Sequence, residues 1–398
     1  MFKKIVLSIL LILFVKGCDI LDITKYGCEQ YQNIVINGLV VPNMPPTNGQ
    51  QPEKRYEIIK DFLNLYQRSF TMLDIGAAQG YHSLRAAWDF PNSVFVMIEG
   101  NNPSYPLSGD QLLSICKCNT KLDNIIHLNK PIYINDLIEL GKCEHFDVVL
   151  ALNIIHWLGP DYKKVIEALL TLGDNIIIET PPAEEGEFKE NIIQSLEQEY
   201  KAQHIGWVPR HVGVDKFAPM YLIKSEKSKT LSKSTWIGKK KTYEIISDFK
   251  EKKLKKIDDT DKSVMITDWI PGINLITFKM YAGAFPLLET LKDEIDRLKD
   301  AIHNDWKPNN FVIQGIYLSL IDFNSAFCMN DSTKPETYDR FKMMLKFLEA
   351  VSPNYVKYWF GRVTSSSREQ LLQQVEKIID RCYENQILEC KRDYSITL

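Results

Sequence analysis

The chain has no marked excess of either charge, no apolar run of membrane-spanning length and no cysteine pattern with metal-site spacing. Its 398 residues carry 48 Lys plus Arg against 51 Asp plus Glu, a formal net charge of −3. That balance gives no global attraction to nucleic acid, which would need a local basic patch instead. Cys18, Cys28, Cys116, Cys118, Cys143, Cys328, Cys382 and Cys390 form no pair of C-x-x-C motifs. Cys116-Lys117-Cys118 has no companion cluster at zinc spacing. These positions read as scattered thiols in a largely reduced protein. The apolar run at residues 5–15 falls short of the roughly 20 residues that a standard membrane-spanning helix needs. The length itself is enough for two domains with substantial cores.

What is present begins at the N-terminus. Residues 1–18, MFKKIVLSILLILFVKGC, join a basic start at Lys3-Lys4 to an apolar stretch of signal-peptide length. Val15-Lys16-Gly17-Cys18 is similar to a bacterial lipoprotein cleavage box, with Lys16 departing from the small or uncharged residue usual there. Three readings stay open: a secretory or lipoprotein signal, another membrane anchor, or a buried helix. The first two imply membrane association through residues 1–18, and the basic start favours the following chain on the far side. The cytosolic origin of the cofactors named below pulls the other way. Residues 43–52, NMPPTNGQQP, read as a linker. Tyr56, Ile59, Phe62, Leu63 and Tyr66 then recur at helical spacing, the mark of a core helix.

The first half is organised around residues 72–84, MLDIGAAQGYHSL. An apolar strand meets a tight turn at Gly76-Ala77-Ala78-Gln79-Gly80, and helix-compatible residues follow. Gly76 and Gly80 allow a sharp turn and a close backbone approach to a ligand, and the first amides of the helix are expected to point into the pocket. Further short apolar runs follow at residues 94–98, 124–128, 146–152 and 175–179, separated by helical stretches. They read as buried parallel strands. Residues 204–212 and 219–224 read as a closing antiparallel hairpin.

This pattern resembles class I S-adenosylmethionine-dependent methyltransferases over residues 51–225. The resemblance implies a Rossmann-like α/β domain with a mostly parallel sheet and S-adenosylmethionine as cofactor. It implies that Asp74 anchors the methionine end of the cofactor, that Gly76 and Gly80 form its loop, and that Glu99 takes the ribose hydroxyls. Asp136 fits either an adenine contact or a helix cap. Asn153 ends a strand at the ligand edge. His156, one turn on, fits a base, a residue lining the acceptor mouth, or a structural histidine. Methyl transfer needs a base only for a neutral acceptor, so the residues report the donor better than the acceptor.

The second half, residues 226–398, opens with a Lys- and Ser-rich stretch at 225–241 that reads as a solvated linker or hairpin, with an anionic-substrate patch as the alternative. Residues 302–311 read IHNDWKPNNF and 318–324 read LSLIDFN. They resemble the catalytic core of the protein kinase and aminoglycoside phosphotransferase superfamily. The resemblance implies that Asp305 orients the hydroxyl, Lys307 neutralises the transferring phosphoryl group, and Asn310 and Asp322 hold Mg²⁺ on ATP. It also implies an α+β kinase-like domain with a last N-lobe strand at 263–269, a helix at 287–302 and a helical C-lobe. Asn324 replaces the usual glycine, no glycine-rich phosphate loop is visible, and Lys253, Lys255 and Lys256 are the candidates for the nucleotide lysine.

The expected function is a methyltransferase fused to a kinase-like phosphotransferase, acting on a glycan, a lipid-linked sugar or another small hydroxyl acceptor. The alternative is a membrane-tethered methyltransferase whose kinase-like domain is a non-catalytic scaffold. An RNA methyltransferase is not favoured.

Overall fold

Short runs of Val, Ile, Leu and Met, hidden on both faces, build the central sheet of the first unit. The computed structural model describes residues 32–41, 52–103, 107–158, 161–209, 216–225, 233–239, 253–256, 262–268, 270–275, 277, 301–302, 310–315, 317–321 and 327–328. The chain divides into two units, Met1–Lys229 and Thr230–Leu398.

In chain order the first unit comprises β1 (Ile34–Ile36), β2 (Leu39–Val41), α1 (Pro52–Leu63), β3 (Thr71–Ile75), α2 (Tyr81–Asp89) and β4 (Val94–Ile98). There follow α3 (Ser108–Cys118), β5 (Ile125–Leu128), α4 (Ile134–Cys143), β6 (Phe146–Leu152), α5 (Tyr162–Leu172) and β7 (Gly173–Glu179). The unit closes with α6 (Glu187–Gln198), β8 (Gln203–Pro209) and β9 (Phe217–Lys224). Seven strands form one sheet in the order β5-β4-β3-β6-β7-β9-β8. Strands β3 to β7 pair in parallel, while β9 runs antiparallel to both β7 and β8. The order reverses beside β3, which leaves a crevice at the carboxyl ends of the strands, where such sheets take ligands.

Helix α1 belongs to the core rather than to a lid. Tyr56, Ile59 and Leu63 are buried in one cluster with Met72, Val148, Ile177 and Met220 of the sheet. Its outer flank is fixed by Asp89, which accepts hydrogen bonds from the Tyr56 hydroxyl and Lys60 Nζ, each at 2.7 Å.

One element lies ahead of the expected domain start at residue 51. Strands β1 and β2 pair around an Asn37-Gly38 turn with φ of 48° and 81°, a conformation that favours this dipeptide. Ile34, Val35 and Ile36 are buried in the same core as α1 and α2. A Cβ on Gly38 would strike the Trp88 indole, so that glycine is required for close approach as well as for the turn. Asn119, just past α3, binds this hairpin twice: its Nδ2 donates to the Val35 carbonyl at 2.9 Å and its Oδ1 accepts from Asn37 N at 2.7 Å.

Cys118, the last residue of α3, is disulfide-bonded. It is an exception among thiols expected to be largely reduced. Cys116 and Cys143 are free.

In the second unit, β10 (Lys233–Lys239), β11 (Lys253–Lys256) and β12 (Lys262–Asp268) form an antiparallel sheet with β12 central. The Lys- and Ser-rich stretch therefore contains a strand and is not a linker throughout. Lys253, Lys255 and Lys256 all lie on edge strand β11. A second sheet joins β13 (Ile273–Asn274), β15 (Phe311–Gln314) and β16 (Tyr317–Leu320), and β14 (Ala301–Ile302) pairs with β17 (Phe327–Cys328). Residues 1–18, Asp305, Lys307, Asp322, most of the expected helix at 287–302 and the expected C-lobe helices lie outside the described residues.

Candidate functional site at the carboxyl edge of the sheet

The turn after β3 has three left-handed residues, Gly76 at φ 69°, Ala78 at 51° and Gly80 at 73°. Ala78 adopts a conformation that costs an ordinary side chain on the order of 1–2 kcal/mol. Three bonds hold the turn: the Ala78 amide donates to Glu99 Oε2 at 2.9 Å, and Ala77 N and Gly76 N both donate to the Ile98 carbonyl. A Cβ on Gly76 would collide with Ile154, and one on Gly80 would lie 2.8 Å from a Leu112 methyl. The glycines thus let the turn pack tightly against β6's following segment and against α3.

Glu99 follows β4 directly. One oxygen takes the Ala78 amide and the other takes the Ser108 hydroxyl at 2.8 Å. Burial pushes its pKa up, opposed by those two donors. A carboxylate offers about four acceptor positions, so capacity remains for two ligand hydroxyls. Asp74, next to last in the fully buried β3, accepts a hydrogen bond from Ser83 Oγ at 2.8 Å. Burial raises its pKa to about 7; Ser83 opposes this and the nearby Glu99 adds to it. A buried carboxylate this close to neutrality is suited to a cationic ligand. The residues present fit the zwitterionic, cationic methyl donor that the sequence implies.

Asn153 leaves β6 at φ 55°, and its amide donates to the Glu179 carbonyl at 3.0 Å. A single 3₁₀ turn, Ile155–Trp157, places His156 against the Trp157 ring at 5.2 Å. Trp157 is 70% exposed. Asp136 is placed differently from the others. As the third residue of α4 it accepts from Tyr133 N at 2.9 Å and pairs with Lys130 at 2.6 Å. It performs the helix-capping role, one of its two expected readings.

Strand order, the reversed β9 and the glycine turn decide the architecture. The first unit has the Rossmann-like fold of class I methyltransferases. No family model and no curated protein matches the chain. Among solved structures it is similar to WbdD, described as a bifunctional kinase-methyltransferase, at 15% identity and a TM-score of 0.37, over 83% of this chain and 89% of that one. It is similar to magnesium protoporphyrin IX methyltransferase (ChlM) from Synechocystis PCC 6803 at 13% identity, with a TM-score of 0.33 over 44% and 80% of the two chains. It is also similar to the fibrillarin pre-rRNA processing protein of Methanococcus jannaschii at 17% identity, with a TM-score of 0.31 over 40% and 68%. The chemistry of this chain rests on its own residues.

Sequence reasoning missed a buried polar group beside the site. Arg55 of α1 reaches Glu179 at the carboxyl end of β7 through two bonds, 2.6 and 2.9 Å, and donates to the Pro209 carbonyl. His82 of α2 is fully buried; desolvation, aided by the Arg55 charge, lowers its pKa to about 3. Its Nδ1 has no hydrogen-bond partner. His127 of β5 binds the Glu99 carbonyl through Nε2 at 2.9 Å, and its burial holds the pKa down near 4. Nothing in local sequence pattern pairs these residues, because their partners lie far along the chain.

In the second unit, Asn310 is buried and starts a two-stranded turn. Gln314 pairs with Tyr317 across Gly315, at φ 70°, and the ladder ends where Ile321 N donates to the Asn310 carbonyl at 2.8 Å. The hairpin therefore brings Asn310 beside the residue that immediately precedes Asp322 in sequence.

Proposed function

We propose that the first unit is an S-adenosylmethionine-dependent methyltransferase. The carrying observation is the join of turn and acid: the left-handed Ala78 amide is held by Glu99, at the topological switch of the sheet. Glu99 binds the ribose hydroxyls and Asp74 faces the charged methionine end, with the loop of Gly76 and Gly80 between them. The cofactor supplies an activated methyl group; the protein aligns the acceptor and excludes water. The acceptor is a hydroxyl of a glycan or lipid-linked sugar. Supporting this are the exposed Trp157, on which a sugar ring can stack, and His156 against its ring for a hydroxyl, with Asn153 at the end of the neighbouring strand.

The second unit acts as an ATP-dependent phosphotransferase on a related hydroxyl, with Asp305 and Lys307 at the transfer site and Asn310 and Asp322 holding Mg²⁺. What supports this reading is the hairpin that joins Asn310 to the residue before Asp322.

Calorimetry on the full chain tests both readings. S-adenosylmethionine should bind, and Glu99→Ala should weaken it at least tenfold. Mg²⁺-ATP should bind and be lost in Asp322→Ala. Absence of methyl-donor binding in the folded protein overturns the first assignment. Donor binding without nucleotide binding leaves the second unit a scaffold.

A further inference from the structure

Just ahead of the N-terminal hairpin, Gln32 hydrogen-bonds to the cofactor loop and to the first residue of α2. Gln32 N donates to Gln79 Oε1 at 3.0 Å, and Tyr81 N donates back to Gln32 Oε1 at 3.2 Å. Gln79, buried, passes the connection to α3 by donating from Nε2 to Gln111 Oε1 at 2.9 Å. The strained Ala78 sits between this bracket and its bond to Glu99. The hairpin that carries Gln32 is itself anchored in the core and tied to Asn119 and to Arg85, which donates to the Gly38 carbonyl at 3.0 Å.

Two consequences follow from the geometry. The Tyr81 amide, first of α2, is already used within the protein and does not face a ligand, in contrast to the expectation from sequence. The Gln79 side chain has both its amide groups engaged, so the turn is fixed from the outside as well as by Glu99. An amide bracket of this kind holds a strained turn in one geometry before a ligand arrives, which cuts the ordering cost of binding.

We propose that Gln32 is a positioning residue for the methyl-donor site: it acts through Gln79 and Tyr81 to hold the 76–80 turn in its binding form. This rests on the assignment of the first unit as a methyltransferase. It extends the donor site to Gln32, just ahead of β1.

The test uses the full chain with Gln32→Ala, Gln32→Glu and a hairpin control, Leu39→Ser, on the exposed side of β2. Two readouts are taken: amide hydrogen exchange over residues 76–84 without ligand, and the Kd for S-adenosylmethionine. Gln32→Ala keeps the backbone bond to Gln79 but removes the acceptor for Tyr81 N; it should speed exchange at Tyr81 and the adjoining turn at least tenfold and raise Kd at least tenfold, with the thermal midpoint of the first unit close to wild type. Gln32→Glu keeps the acceptor for Tyr81 N and should restore both readouts to within about threefold, a rescue that loss of hairpin packing alone would not show. Leu39→Ser should leave both unchanged. Unchanged exchange in Gln32→Ala overturns the proposal, and so does an exchange increase spread evenly over the whole unit. Because exchange is read without ligand, a wild-type protein that fails to bind S-adenosylmethionine would sink the methyltransferase assignment alone; the bracket would still be decided by exchange.

Discussion

Arg55 and Glu179 stand 124 residues apart in sequence and meet in a two-pronged ion pair, with Glu179 only 1% exposed. The third bond, to Pro209, makes Arg55 the joint between α1, β7 and β8. Removing one partner would strand a buried charge. Glu179→Ala should destabilise the first unit by about 3–5 kcal/mol. Replacing both, Arg55→Met with Glu179→Leu, should recover most of that loss, since a buried pair is often matched by apolar residues of similar volume. Urea unfolding, followed by a probe of the first unit, reads the difference. Equal losses in the single and double variants would refute this account of the pair.

On the proposed reading, in which Asp74 faces the charged end of the methyl donor, donor affinity should depend on pH. With its pKa raised to about 7, it is largely protonated in the free protein below neutrality. A cationic ligand binds the ionised form better, so S-adenosylmethionine affinity should climb between pH 6 and 7.5 and then level off. Asp74→Asn should weaken binding and flatten the profile over that range. The same residue lowers stability as pH rises: its contribution is complete below about pH 4 and is lost through pH 7, because the folded form holds its proton longer.

His82 has the opposite sign. Its folded pKa of about 3 lies below the unfolded value near 6.5, so the unfolded chain takes up the proton first. Stability is therefore full above pH 6.5 and falls toward pH 3, by at most about 5 kcal/mol. His127, lowered to about 4, adds a smaller loss over the same range. His82→Leu should shift the acid-unfolding midpoint down by about one pH unit, measured by circular dichroism. A midpoint that stays in place would show that other groups govern acid unfolding.

Truncation should be more damaging than the linker composition suggests. A chain beginning at Asn43 lacks Ile34, Val35 and Ile36, all buried, together with the Gln32 bracket. Each aliphatic side chain contributes roughly 1.5–3 kcal/mol by burial, so the loss is comparable to the whole stability of an ordinary domain. Such a chain should aggregate or expose its core to a hydrophobic dye, whereas a chain beginning at Cys28 should retain the fold of the first unit.

The parts of the fold that sequence made plain are those with local signatures. Residues 94–98 and 146–152 coincide with β4 and β6, because strands buried on both faces are apolar throughout and bounded by Asp, Glu or Asn. Asp74, Gly76, Gly80, Glu99 and Asn153 all lie at or beside the carboxyl edge of the sheet, since each follows from position relative to a strand end.

The β1–β2 hairpin is not read from the sequence: its Asn37-Gly38 turn is a hairpin signal, but its strands are three residues each and give too little alternation to register. Lys233–Lys239 reads as either linker or hairpin because its Lys and Ser composition imitates a solvated segment, and it is a strand. Arg55, His82 and Gln32 had no local mark, since tertiary pairing alone assigns their roles.

The cross-link at Cys118 has a practical consequence. It terminates the helix whose first residue, Ser108, holds Glu99 and whose Gln111 receives the amide chain from the glycine turn. A host that keeps thiols reduced would deliver a covalently different polypeptide, with the end of that helix held by Asn119 and its core contacts alone. The redox state of any material used for a ligand measurement should therefore be read by intact mass before the first titration.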